Sequence, residues 1–135
     1  MKNLLTFFQE NDKFARHSGI ELLEISEGCA KAVMKIGKHH LNAVGSVHGG
    51  AIFTLADFVF AVASNSHGTV SVAINASISF LKAAGKGSLF AEAKEIARNP
   101  KLASYTVNVT DEQENLIAIF QGMVYRKKEN VMAAS

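Results

Sequence analysis

The chain has 135 residues, 14 of them basic and 12 acidic, for a net charge of +2. That length holds one domain, residues 1–135, with one sizeable core, and the charge is too balanced to argue for nucleic acid, although the run Arg126-Lys127-Lys128 could still meet a phosphate. With 48% hydrophobic and 19% charged residues the chain is globular rather than disordered, and its single cysteine, Cys29, excludes an internal disulfide and fits a small core residue in a reducing compartment.

Residues 3–17 set Leu4, Leu5, Phe7, Phe8 and Phe14 at the spacing of one amphipathic helix, ended near Ser18-Gly19. This segment lacks the apolar core and cleavage pattern of a secretion signal, so the chain reads as cytoplasmic. Residues 20–26 and 29–37 follow as β-type segments with Gly28 at the turn, and residues 39–48 read as a loop. A long apolar helix then starts at or just after His48 with Gly49-Gly50 and ends near Asn65. Interrupted by Asp57 and Asn65, it is too short to span a membrane.

Beyond His67-Gly68 the pattern is that of strands. In residues 71–80, strict alternation puts Val72, Ile74, Ala76, Ile78 and Phe80 on one face and Ser71, Ala73, Asn75, Ser77 and Ser79 on the other. Segments 88–98, 102–112 and 116–126 are further strands, separated by turn-type residues. Short connections predict antiparallel pairing of neighbours. The economical packing is α+β: five or six antiparallel strands wrapped round one central helix, which is apolar on all sides and must be covered on all sides.

Two features of that helix point to chemistry. The N–H groups of its first turn lack intrahelical partners and carry the positive end of its dipole, and glycines at 49 and 50 let a ligand oxygen approach them closely, as in an oxyanion hole. Asp57 is an isolated carboxylate in an apolar setting with no basic residue within a turn; such a group must be paired, protonated or put to use. The two lie eight residues apart, about 12 Å of helix rise, so one reacting centre is not served by both from one helix. Joint action requires Asp57 from a second subunit, and a two-fold dimer would also cover an open helix flank and a long edge strand.

The stretch NAVGSVHGGAIFTLAD, residues 42–57, resembles the signature of the hotdog-fold thioesterases, in their phenylacetate-degradation (PaaI-like) acyl-CoA thioesterase branch. Asn42, Gly45, His48, Gly49, Gly50 and Asp57 stand at its spacing, and the likeness extends through most of the chain. The resemblance implies a hotdog fold and hydrolysis of an acyl-CoA, aromatic or hydroxylated acyl groups included, to free acid and coenzyme A. Coenzyme A is part of the substrate, and no cofactor is implied. Asp57 would act as general base or nucleophile, Gly49 N–H would hold the carbonyl oxygen, Asn42 would orient water or substrate, and His48 would steady the loop. Gly50 joins them as a substrate-binding position. Sites shared between two subunits are implied, with dimers pairing into tetramers. Where some relatives carry a hydroxyl one turn after the acid, this chain has Ala61; Asn75 and Ser77 are the candidates to replace it, ahead of Ser71.

His39, His40 and His48 have no acidic or Cys partner at metal-ligand spacing and read as solvated loop residues, with no metal expected. No G-x-S-x-G elbow or P-loop is present. Lys82, Lys86, Arg98, Lys101, Arg126 and Lys127 are the cations available to coenzyme A phosphates, though each also reads as an ordinary surface charge, and Phe53 and Phe60 fit the core or an acyl pocket. Two other functions fit the same fold: a hotdog hydratase or dehydratase, which needs a His working opposite the carboxylate, and a non-catalytic acyl-CoA-binding protein, which would lack the acid.

Overall fold

The computed structural model describes residues 1–133. Two short helices, α1 (Lys2–Asn11) and α2 (Lys13–His17), precede the hairpin β1 (Ile20–Ser26) and β2 (Cys29–Lys35). A 3-10 turn (Lys38–His40) and a loop lead into α3 (Gly49–Asn65). Then follow β3 (Thr69–Phe80), β4 (Ser88–Arg98), β5 (Leu102–Thr110) and β6 (Leu116–Asn130). The strands form one antiparallel sheet in the order β1-β2-β4-β5-β6-β3, curved round α3.

The single N-terminal helix expected over 3–17 is two helices. Asp12 breaks it by turning extended, and its Oδ1 accepts from Ala15 N–H at 3.0 Å to cap α2. Gln9, on α1, uses its primary amide as a surrogate strand: Nε2 donates to Ile20 O and Oε1 accepts from Leu22 N–H. It thereby occupies the free edge of β1.

Consecutive strands pair antiparallel except around β3, which pairs with neither β2 nor β4. Over residues 81–87 the chain passes β6 and β5, about 14 Å at the usual strand spacing and well within the reach of that segment. β4 thus lies against β2, and β3 is left at the opposite edge, paired only to β6.

The core fills the space between α3 and the concave face. Phe60 packs edge-on to Tyr105 at 5.8 Å and against Phe120 at 5.3 Å, and Phe53 meets Phe120 at 5.4 Å. Gly122 admits this packing, since a Cβ there would stand 2.5 Å from Phe60 Cζ. Phe60 is therefore core, and Cys29 is half-buried rather than interior.

Coverage of α3 is incomplete. Gly50 is exposed, and Phe53, Thr54, Asp57 and Ala61 are half-buried, while Leu55, Ala56, Val59 and Val62 are fully buried. At 3.6 residues per turn the first five form a single stripe along the helix. The sheet covers every side of α3 but the one that carries the carboxylate.

Candidate active site

The N-terminus of α3 is held by two histidines. His48 is the N-cap: its N–H donates to His40 O at 2.7 Å, and its Nδ1 accepts from Gly50 N–H at 2.8 Å. Its carbonyl accepts from Ala51 N–H and Ile52 N–H, at 2.9 and 3.2 Å. Of the first-turn donors this leaves Gly49 N–H, which bonds to no group among the described residues. Gly50 N–H, expected to meet substrate, is already taken by His48.

His40 is buried, not a solvated loop residue. Its Nδ1 accepts from Gly37 N–H at 2.9 Å, so the proton is on Nε2, which donates to Ser18 O at 2.7 Å. It ties the end of α2 to the 3-10 turn and, through its carbonyl, to His48. His39 stays exposed. Asn42 organises the adjoining loop: its Oδ1 accepts from Val44 N–H at 3.0 Å and Ser46 N–H at 3.1 Å. Only its amide N–H groups are left for a ligand.

Asp57 stands mid-helix on the uncovered stripe, half-buried, with no hydrogen bond and no ion pair among the described residues. Burial pushes its carboxyl above the ordinary carboxylate range, and the negative charge of Asp12 pushes the same way. A carboxyl so placed is a stronger base than a solvated one, and nothing in the protomer competes for its lone pairs.

The strand after the helix departs from the expected alternation. β3 carries an irregularity between Ala73 and Asn75, with Ile74 left out of the pairing. Beyond it Ala76, Ile78 and Phe80 pair with Gly122, Phe120 and Ala118, residues buried on the helix side; before it Ala73 pairs with buried Val124 and Ser71 with Arg126. Directly opposed residues share a face. Ser71 and Ala73 therefore lie on the helix side with Phe80, while Asn75 and Ser77 open onto the outer face beside Ser104, Gln121 and Met123. Within the protomer neither Asn75 nor Ser77 is brought to α3.

Ser71, the candidate ranked behind them, has the telling environment. Its Oγ is buried without a hydrogen-bond partner, next to a backbone N–H that Asn65 Oδ1 accepts at 2.9 Å. A buried hydroxyl left without a partner is uncommon and marks a place for water or ligand. Strict alternation hid it; only the bulge turns it inward, and no residue type in SVAINASISF announces a bulge.

The opposite end of α3 holds a second polar cluster. Tyr105 OH donates to Glu95 Oε1 at 2.7 Å, and His67 Nε2 lies 2.8 Å from the same oxygen. The Arg98 guanidinium contacts His67 Nδ1 at 2.6 Å. Burial pushes the Glu95 carboxyl up, but the hydrogen bonds from Tyr105 and His67, with the charges of His67 and Arg98, outweigh it and hold the group below its ordinary value. Burial, then the bond to Glu95, raises the Tyr105 phenol. Arg98, one of the candidate cations for coenzyme A phosphates, contacts this cluster through Nη1.

The thioesterase superfamily model matches residues 44–118, which span the end of the loop, α3, β3, β4, β5 and the start of β6. A protein of Archaeoglobus fulgidus, provisionally named an esterase, is 46% identical over 92% of this chain and 81% of its own length. The acyl-coenzyme A thioesterase PaaI of Escherichia coli is 33% identical over 87% of the chain and 84% of its own length. The structure of E. coli PaaI superposes with a TM-score of 0.92 at 32% identity, covering 96% of this chain and 94% of that one. A point mutant of the phenylacetic acid degradation protein PaaI from Thermus thermophilus superposes with a TM-score of 0.83 at 33% identity, over 86% of this chain and 100% of that one.

Proposed function

Because this chain belongs to the thioesterase superfamily, as a PaaI-like thioester hydrolase of hotdog fold, we propose that it hydrolyses acyl-CoA with Asp57 as the base and Gly49 N–H as the oxyanion donor. The observation that carries the reading is Asp57: a half-buried carboxyl with no partner, on the one stripe of α3 that the sheet leaves open. Asp57 takes a proton from water as the water oxygen attacks the thioester carbon. The carbonyl oxygen gathers negative charge against Gly49 N–H, the donor that no protein group occupies. The carbon–sulfur bond then breaks, and coenzyme A leaves with the proton as its thiol, beside the free acid. His48 acts by aiming Gly49, and Asn42 by shaping the loop and offering its amide N–H groups.

Two such groups eight residues apart on one helix meet only between subunits. A homodimer is further supported by the unpaired edge of β3, where Val72, Ile74 and Phe80 are exposed. Edge pairing there would set two open stripes face to face, and two such dimers would associate as a tetramer.

The test follows thiol release from a panel of straight-chain, aromatic and hydroxylated acyl-CoAs. Wild type is expected to hydrolyse members of it, and Asp57→Asn to lose about 10²–10⁴-fold in kcat, the usual worth of general-base catalysis. Full activity in Asp57→Asn and Asp57→Ala removes Asp57 from the mechanism; acyl-CoA binding without turnover by wild type makes the protein a binder. A single turnover in ¹⁸O-water separates base from nucleophile, since only a nucleophilic Asp57 carries label in its own carboxylate. Mixing inactive Asp57→Asn chains with inactive Gly49→Ala chains restores roughly a quarter of wild-type activity if the sites are shared, because half of the dimers then hold one intact site of two. No recovery, in chains shown to exchange, refutes the shared site.

A further inference from the structure

Phe80 is the last residue of β3, on the helix side of the sheet, opposite buried Ala118. Its ring tip points at Gly49. A Cβ built there would lie 3.2 Å from Cζ, 3.5 Å from Cε1 and 3.7 Å from Cε2. The ring thus stands beside the first-turn backbone N–H of α3 that has no partner among the described residues, and yet it is 53% exposed. Something other than the protomer is free to touch the rest of it.

Gly49 N and Cα are one bond apart, about 1.46 Å. An oxygen accepting from that N–H sits about 2.9 Å from the nitrogen. A ligand held there can therefore bring the carbon bearing that oxygen, or a substituent on it, against the ring that stands beside Gly49. We propose that Phe80 is a substrate-contacting residue, an apolar wall that seats the thioester on Gly49 N–H and keeps water from that donor. The inference rests on the proposed role of Gly49. Its physical content is that a backbone donor aimed at developing charge works best where no water competes and no solvent must reorganise. The absence of a side chain at position 49 then has a second cause besides ligand approach: the space a Cβ would need is narrowed by this ring.

Three variants test the wall by its chemistry. Phe80→Leu keeps apolar bulk, Phe80→Gln keeps bulk but brings water, and Phe80→Ala removes the wall. Hydrolysis is measured against the best acyl-CoA of the panel, with Tm and sedimentation in parallel. Phe80→Leu should keep kcat within about threefold of wild type, while Phe80→Gln and Phe80→Ala lose about tenfold or more, chiefly in kcat, as expected when an oxyanion donor is hydrated and substrate loosened. Should Phe80→Ala unfold or dissociate, the Leu and Gln pair still decides. Equal kcat in those two variants, with wild type active, overturns the wall and leaves the thioesterase reading standing. A wild type that cleaves no acyl-CoA overturns both.

Discussion

At the C-terminal end of α3, Asn65, Ser66 and His67 are each tied to another part of the fold: Asn65 to Ser71 on β3, Ser66 Oγ to Gly28 N–H at 2.7 Å, and His67 to Glu95. At the N-terminal end and along the open stripe, Gly49 N–H and Asp57 have no partner. One end satisfies the polar side chains of the helix internally, with Ser71 Oγ beside them as the exception, and gains stability; the other leaves two strong groups without partners among the described residues and gives up stability. The same helix, apolar through its middle, is a rivet at one end and a reactive surface at the other.

The largest expected effect that would break this contrast is at Gly49. Gly49→Ala crowds Phe80 and the approach to the donor, and should lower kcat about 10²–10³-fold, the scale of losing one oxyanion donor. Tm should change little, since alanine suits a helix better than glycine and the half-exposed ring can yield. A large fall in Tm with kcat per folded molecule preserved would reverse the assignment. At the other end the signs exchange. Tyr105→Phe removes the hydroxyl bond to Glu95 and should cost about 1.5 kcal/mol, at the low end for a bond to a charged group because Glu95 is partly solvated. That is a fall in Tm of about 5 °C for a chain of this size, with kcat unchanged; calorimetry and thiol release on the same sample check it.

The smaller effects concern pH. Glu95 is held below its ordinary value of 4.5, so its contribution to stability is complete above 4.5 and is lost as pH falls below it, through the lower folded value. Asp57 is raised above its ordinary 3.8, so its charged form opposes folding at neutral pH, and this is relieved as pH falls through the raised value. Acid should therefore stop hydrolysis reversibly before it melts the sheet; coincident loss of rate and of circular dichroism would contradict the two opposite shifts. By the same sign, Asp57→Asn should raise Tm slightly at neutral pH, the least of these effects, and a lowered Tm would mean that the carboxylate has a stabilising partner.

The loop and helix of the site were legible because their signals are local. Two glycines after a histidine mark a helix start with free donors, and a charge without a counter-charge on an apolar helix is visible in the letters alone. The breaks in regularity were not. Asp12 could as easily have stood on the polar face of one helix; it splits the helix because its side chain caps the next turn. Ile74 reads as one more inward residue of an alternating strand, and the place where a ladder skips a residue depends on β6, far along the chain. The inward turn of Ser71 follows from that skip, whereas the outward turn of Asn75 and Ser77 is what alternation with Ile78 and Phe80 inward already gives. The burial of His40 likewise depends on Ser18 and Gly37, neither of which advertises a histidine partner.

The amide of Gln9 on the free edge of β1 has a consequence for growth of the sheet. An open-ended sheet whose two edges both accept strands can extend without limit, as fibrils do. Here a side chain of the same protomer occupies one edge at its start, Ile20 and Leu22, while β3 pairs on one side alone among the described residues. In the proposed dimer, two copies joined through β3 would each bring such a stopper to the far end, and the ribbon would terminate itself. On that arrangement Gln9 would act as the chain terminator of a polymerisation limited to two monomers, set by a residue at the far side of the sheet from the junction it regulates.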